Sequence, residues 1–165
     1  MRIGVDLGGT KIEAIVMRDD GAIALRHRIA TPRGQGHEAI VGAVARLVSE
    51  LEAKVGATCS IGIGTPGALS PATGLLQNSN TVCLNGRPLD RDLEEAIGRE
   101  VRMANDADCF AFSEAIDGAG AGVATVFGVI VGTGVGGGLV VHGALVQGPN
   151  AIAGEWGHNP LPWPP

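Results

Sequence analysis

Three stretches carry residues whose types and spacing suit phosphate and hydroxyl chemistry. In residues 129–141, VIVGTGVGGGLVV, glycines at 132, 134, 136, 137 and 138 stand between two short runs of β-branched and aliphatic residues. Such a run lets a backbone take φ > 0 and bring its N–H groups against a bulky anion, which is what a phosphate needs. Gly132, Gly134 and Gly137 also spell G-x-G-x-x-G, but that pattern means a dinucleotide site only when a strand precedes it and a helix follows. Leu139-Val140-Val141 follows here and reads as another strand. The stretch is therefore expected to be a strand, a phosphate-gripping turn and a second strand.

The second stretch is DLGGTK, residues 6–11, between the alternating sets Ile3, Val5, Leu7 and Ile12, Ala14, Val16. It reads as a hairpin with a glycine turn. Gly8 and Gly9 expose backbone donors, Thr10 adds a hydroxyl and Lys11 a cation, while Asp6 sits at the strand end, where it could hold a Mg²⁺ water. The order differs from a Walker A loop, because Gly-Gly-Thr-Lys here precedes a strand rather than a helix. A plain tight hairpin with surface charges is the alternative reading. Two glycine-rich hairpins of similar design in one chain favour phosphate. The third stretch is Asn105-Asp106, at the end of a strand expected over 101–104. In open α/β sheets, ligands sit outside the carboxyl ends of strands. Phe110, Ala111 and Ala115 follow at helical spacing, so Asp106 falls at a helix N-terminus, where a carboxylate is stabilised as the anion. The competing reading is that Asn105 or Asp106 simply caps that helix.

Other polar residues could grip a polyol. Asn78, Ser79 and Asn80 supply amide and hydroxyl groups, although loop asparagines often only form turns. The strand SIGIG, 60–64, runs into a Pro66-Gly67 turn of the sort that can present backbone groups to a ligand. Glu155 and His158 lie three apart in the proline-rich stretch 148–165 and could contact one ligand or simply face solvent. His158 alone is a weak metal candidate.

The elements that must position these groups follow from periodicity. Asp19-Asp20-Gly21 marks a turn into a strand over 22–29. Ile40, Val44, Leu47, Val48, Leu51 and Val55 recur at helical spacing over 38–55, a core-facing amphipathic helix closed by Gly56. Asp90 reads as the cap of a helix containing Leu93, Ala96 and Ile97 and ended by Gly98. GAGAG, 118–122, reads as a flexible connector and as the domain boundary, dividing the chain into 1–117 and 118–165. Strands are expected over 125–131 and 139–142.

Composition excludes several classes. The 165 residues are 45% hydrophobic, enough for a packed core, and 12 Lys+Arg against 17 Asp+Glu give a formal charge of −5. With no basic cluster interleaved with aromatics and no tyrosine, nucleic acid is not an expected partner. Cys59, Cys83 and Cys109 are far apart and odd in number, which suggests neither a disulfide framework nor a self-contained cysteine metal site, and fits a reducing cytoplasm. The first residues, MRIGVD, reach a charge too early for the apolar core of a signal peptide. Residues 118–141 carry no charge and could span a bilayer by length, but glycines interrupt them throughout, so no membrane span is expected.

With DLGGTK, NDAD and GTGVGGG placed, the sequence resembles the ROK family of sugar kinases. The resemblance runs through the whole chain in order, including GIGTPG (62–67) and AGEWGHNPLPW (153–163). It implies an α/β fold of the actin-like ATPase (ribonuclease H-like) class, with a complete first domain, an incomplete second one, and two phosphate hairpins facing each other across a cleft. NSNTVCLNGRPL and EWGHNPLPW look most like the fructokinase and mannokinase branch, with N-acetylglucosamine kinase and glucokinase relatives as close alternatives. The resemblance implies that Asp6, Gly8, Gly9, Thr10 and Lys11 form the first phosphate loop, with Asp6 near Mg²⁺, and that Gly132, Thr133, Gly134, Gly136 and Gly137 form the second. It makes Asp106 the general base that takes the proton of a primary sugar hydroxyl attacking the γ-phosphate of ATP. It makes Asn80, Asn105, Glu155 and His158 sugar ligands, with Pro66 and Gly67 lining the same pocket.

Family members are roughly twice as long and continue past GEWGH into a C-x-C-G-x-x-G-C-x-E cluster, whose cysteines bind structural Zn²⁺ with the histidine matching His158. That cluster is absent, so the chain by itself is expected to hold no zinc, since a tetrahedral site needs about four protein ligands. The expected function is the N-terminal part of an ATP- and Mg²⁺-dependent cytoplasmic hexose kinase, acting on the 6-hydroxyl of fructose or mannose and inactive without its missing half, with homodimerisation also open. A catalytically inactive sugar-binding remnant is the alternative of another class. A repressor of the same family is disfavoured, because DLGGTK starts at residue 6 and leaves no room for a preceding helix-turn-helix.

Overall fold

The computed structural model describes residues 1–132, 134–158 and 160, with His158 described by its backbone alone. Packing divides the chain into two compact units, Met1–Asn105 and Asp106–Pro165.

The first unit is built on a five-stranded sheet. Strands β1 (Arg2–Leu7), β2 (Lys11–Met17) and β3 (Ile23–Ala30) form an antiparallel meander. After the long helix α1 (His37–Val55) come β4 (Ser60–Thr65), the two-residue strands β5 (Ala68–Leu69) and β6 (Leu76–Gln77), helix α2 (Leu89–Ile97) and β7 (Arg102–Asn105). The sheet order is β3-β2-β1-β4-β7, with β4 parallel to β1 and β7 parallel to β4, while β5 and β6 pair separately as a small hairpin. Period-2 patterning sets the faces: Ile3, Val5, Leu7, Ile12, Ala14, Val16, Ile61 and Ile63 are buried. The apolar stripe of α1, from Ile40 through Leu51, and Leu89 and Leu93 of α2 complete this core. Gly56 and Gly98 close α1 and α2 in the left-handed conformation, each donating its N–H to the carbonyl four residues back. Asp90 lies inside the first turn of α2 rather than at its cap. The chain enters that helix through Pro88, whose ring pre-sets the backbone without a side-chain cap.

The second unit opens with helix α3 (Asp106–Ile116), followed by β8 (Thr125–Val131), β9 (Val135–Val141) and β10 (Ala144–Leu145) in an antiparallel sheet ordered β10-β9-β8. Helix α3 packs on β8 and β9, so the division by packing precedes this helix, whereas the sequence suggests a boundary after it at 117/118. GAGAG is a tightly folded turn rather than a flexible connector: Gly120 donates to the Glu114 carbonyl, and Val123 to that of Gly120. Among the described residues no helix is long and apolar enough to cross a membrane; the uncharged stretch 118–141 forms this turn and the β8–β9 hairpin.

The glycine run departs from its expected shape. The second strand begins at Val135, so Gly136, Gly137 and Gly138 are strand residues facing Ile130, Val129 and Gly128, and only 132–134 connect the strands. None of Gly132, Gly136, Gly137 and Gly138 is among the positive-φ glycines of the described residues, nor are Gly8 and Gly9. The physical reason is packing. A Cβ on Gly138 would lie 2.8 Å from the Ala107 carbonyl oxygen and 2.8 Å from the Ala111 Cβ, and one on Gly128 would lie 2.7 Å from the same Ala111 Cβ. These glycines let α3 lie directly on the sheet.

Candidate active site

In the first unit the sequence builds a compact turn cluster beside the β1–β2 hairpin. The Gly8 N–H donates to the Lys11 carbonyl at 3.0 Å, the Thr31 hydroxyl donates to the Gly8 carbonyl, and the Thr31 N–H to that of Thr10. These bonds fix the loop and leave Thr10 and Lys11 exposed. Asp6 sits on the exposed face of β1, opposite Glu13 on β2 and Gly64 on β4. A Cβ at Gly9 would lie 3.5 Å from the Asn80 Oδ1 and 3.2 Å from the Thr81 Oγ1. The structure thus brings Asn80, expected to meet sugar, next to a glycine expected to meet phosphate.

Asn80 is held there by a turn that sequence reading underrates. The Ser79 N–H donates to the Asn85 Oδ1 and the Asn85 side-chain amide donates back to the Ser79 carbonyl, both at 2.9 Å. The Thr81 N–H donates to the Ser79 hydroxyl, and Ser79 and Thr81 are both buried. The Asn85 amide thus clamps the 79–81 loop. Gly67, at φ +82°, lies against the backbone of Gln77, Asn78 and Ser79, and its carbonyl accepts a 3.0 Å hydrogen bond from the Asn105 side-chain amide. Pro66, Gly67 and Asn105 are therefore one group, joined because β7 pairs with β4 so that Asn105 faces Thr65.

In the second unit Asp106 opens α3, and its Oδ1 accepts the Ala107 N–H at 2.9 Å. Glu155 comes back to the same helix end: a Cβ at Gly136 would lie 3.6 Å from the Ala107 Cβ and 3.7 Å from the Glu155 Oε2. The Trp156 indole N–H donates to the Gly136 carbonyl at 3.1 Å and ties this segment to β9. Gly136 and Gly137 are thus packing positions of β9 rather than members of a glycine turn. Gly132 and Gly134 lie at the connection, where the Gly132 N–H donates to the Gly134 carbonyl at 2.8 Å. Thr133 and the side chain of His158 lie outside the described residues.

Asp108, two residues beyond Asp106, was not singled out in the sequence. It is buried at 7% exposure, and burial, with smaller contributions from the Glu155 and Asp106 charges, pushes its carboxyl up to about 6. A second acid two positions from Asp106, on the side of a helix packed to a sheet, is the signal that could have found it. Because the folded-state value lies above the ordinary 3.8, the fold holds this proton more tightly than the unfolded chain does. The resulting stability is fully present below the unfolded value and is lost as pH rises through about 6. Asp108→Asn, which mimics the protonated form, is therefore expected to leave stability near pH 4 unchanged and to raise it by about 2 kcal/mol at pH 8. Melting temperatures of both proteins between pH 4 and 8 test this; an Asn variant less stable than the parent at pH 8 contradicts it.

Among the described residues no group of three or more His, Cys, Asp or Glu side chains could hold a metal ion, and Cys59, Cys83 and Cys109 are free thiols. The described donor set does not fit zinc. The exposed Lys11, the Thr10 hydroxyl and the short glycine loop do fit a phosphate group, and the carboxylate of Asp6 on the adjoining strand end suits a hydrated Mg²⁺.

Comparison with known proteins gives this arrangement its class. The chain belongs to the ROK family, whose model matches residues 2–164. It is 41% identical over 161 residues to an N-acetyl-D-glucosamine kinase of Pasteurella multocida, a match covering 98% of this chain and 53% of that protein. Its fold is similar to the crystal structure of a ROK hexokinase from Thermus thermophilus, with a TM-score of 0.82 and 37% identity over 97% of this chain and 53% of the other. It is also similar to a ROK family glucokinase from Streptomyces griseus solved with glucose and AMPPNP, with a TM-score of 0.83 and 33% identity over 96% of this chain and 50% of that one. The fold is thus α/β of the actin-like ATPase class. The chain spans about half the length of the relatives it matches. None of these three is named for fructose, so the expected fructokinase branch finds no support among them.

Proposed function

We propose that this chain is the N-terminal half of an ATP-dependent sugar kinase that transfers the γ-phosphate of ATP to the 6-hydroxyl of a hexose, with Asp106 as general base. The single observation that carries the reading is the Asn105-Asp106 pair: Asn105 is fixed on the Gly67 carbonyl at the end of β7, and Asp106 begins α3. Phosphoryl transfer asks chiefly for positioning and charge neutralisation, with one carboxylate to orient the attacking hydroxyl. In this reading Asp106 accepts the hydroxyl proton, while Asn80, Asn105, Glu155 and His158 hold the sugar and the Pro66-Gly67 turn shapes its pocket. Lys11, Thr10 and the Gly9 backbone grip phosphate oxygens, with Gly8 shaping the turn through its N–H bond to the Lys11 carbonyl. Thr133 and Gly134 form the second grip, with Gly132 bonded to the Gly134 carbonyl and Gly136 and Gly137 supporting it from β9. Bound Mg-ATP supplies the transferable phosphoryl group, and Asp6 is the residue proposed to hold a water of its Mg²⁺. The reaction is assigned to the cytoplasm.

For the sugar, N-acetyl-D-glucosamine is the first choice, supported by the curated relatives. Glucose, fructose and mannose are the competitors. The test is ATP-dependent phosphorylation of these four sugars by the chain completed with the half that its relatives carry. N-acetylglucosamine is expected to give the highest kcat/KM, and a preference for fructose or mannose would restore the branch that the sequence suggested. The second reading is a sugar-binding protein without catalysis. Calorimetry of the 165-residue chain separates the two: sugar binding without Mg-ATP binding favours the second.

A further inference from the structure

We infer that Asp108 is a positioning residue of the proposed site: buried beneath the start of α3, its carboxyl governs how Glu155 is placed to hold the sugar. Glu155 takes its part as a sugar ligand from the reading above, and the rest follows from the packing of the second unit. Two glycines of β9 make the meeting place. Gly136 and Gly138 are two apart on one strand and so face the same way. A Cβ on Gly138 would lie 3.0 Å from the Asp108 Cα, and one on Gly136 would lie 3.7 Å from the Glu155 Oε2 and 3.6 Å from the Ala107 Cβ. The first turn of α3 and the Glu155 carboxylate therefore share one face of β9, at two positions where the strand itself contributes no side chain. The indole of Trp156 fixes the segment that brings Glu155 there, by donating to the Gly136 carbonyl.

Three carboxylates converge at this helix end, and little offsets them. Residues 106–165 contain no lysine or arginine. The strands packed on α3, namely β8, β9 and β10, carry no titratable side chain. Farther along α3, Cys109 is exposed and Glu114 is another acid, already accepting the Ala119 N–H, while His142 lies in the turn between β9 and β10. A helix N-terminus supplies only about half a positive charge against the three negative ones. Asp106 is exposed and Glu155 half-buried, whereas Asp108 is buried, so Asp108 is the most favourable place for a neutralising proton. Burial first, then the Glu155 and Asp106 charges, push its carboxyl up to about 6. With the proton in place, Asp108 fills its niche as a neutral group and Glu155 keeps its position; once ionised, it sets a buried like charge against Glu155. Sugar should accordingly be held best below about pH 6 and less well as pH rises through that value.

The experiment follows the proton and the sugar separately. In the 165-residue chain, the ¹³C shift of the Asp108 carboxyl is expected to titrate at about pH 6, and Glu155→Gln to move that midpoint down. In the chain completed with the half that its relatives carry, assayed on N-acetylglucosamine, glucose, fructose and mannose, KM for the preferred sugar is expected to rise about three- to tenfold from about pH 5 to about pH 8, with KM for ATP level. Asp108→Asn keeps the neutral form at every pH and should hold the lower KM across that range, with its melting temperature as the control for folding. A purely structural role would move both KM values and the melting temperature together. Overturning results are an Asp108 carboxyl that titrates in the ordinary range, a midpoint indifferent to Glu155→Gln, or an Asn variant whose sugar KM still climbs with pH. Absence of turnover on all four sugars removes the kinase reading and the sugar role with it, whereas the carboxyl titration still decides whether Asp108 holds a proton against Glu155.

Discussion

Replacing Asp106 by Asn is expected to lower kcat by about 10²- to 10⁴-fold in the completed enzyme, with little change in KM for ATP, because the carboxylate that would accept the sugar proton is gone. This substitution separates the two readings of the residue. Asp106 also begins α3, and its Oδ1 accepts the Ala107 N–H. Asn is as good an N-terminal cap as Asp, so the helix should survive. If Asp106 only caps, the Asn variant keeps its turnover. Steady-state kinetics with the helical circular-dichroism signal as control decides the matter: an intact fold with wild-type kcat removes the general base from the proposed mechanism.

The second large effect is structural. Gly67→Ala is expected to destabilise the first unit by about 2–5 kcal/mol, the sum of left-handed strain of roughly 1–2 kcal/mol and overpacking of roughly 1–3 kcal/mol. At φ +82° an added Cβ would run into the Gln77 carbonyl oxygen and lie 2.8 Å from the Ser79 nitrogen, both backbone atoms that cannot step aside. Against a total stability of about 5–15 kcal/mol for a typical domain this is a large fraction. Gly74→Ala is the comparison, since Gly74 has φ +69° with nothing within 4 Å of a Cβ, so it should lose only about 1 kcal/mol of strain. Urea titrations of the two variants measure the difference, and equal losses would mean that the Gly67 contact is relieved by movement of the 77–79 turn. Because the Gly67 carbonyl holds Asn105, the same variant in the completed enzyme should raise KM for the sugar more than KM for ATP.

Much of the first unit was legible in the sequence. Strict alternation put Ile3, Val5 and Leu7, and Ile12, Ala14 and Val16, on one buried face, and helical spacing from Ile40 to Val55 outlined α1 within a residue. Those signals are periodic and local, so they survive without tertiary information. The helix start at α2 was misread because Asp90 looks like a cap, yet Pro88 already fixes the backbone two residues earlier. For the candidate site, the residue types of DLGGTK, NDAD and the GEWGH segment suggested phosphate and hydroxyl chemistry, which the proposed kinetic tests address.

What the sequence determined alone was which residues could do chemistry and the patterning that buries one face of each element; this follows from residue type and from periods of 2 and 3.6. Only the tertiary structure decided which of them meet. It set Asn80 beside Gly9, hung Asn105 on Gly67, brought Glu155 back to the helix that Asp106 opens, and buried Asp108. It also changed the meaning of the glycine run. Gly136, Gly137 and Gly138 read as a flexible anion-binding turn, but they are β9 positions pressed against β8, α3 and the chain at Gly154. Composition cannot distinguish a glycine chosen for its backbone freedom from one chosen for the volume it does not occupy. That choice is made by the neighbour brought against it from elsewhere in the chain.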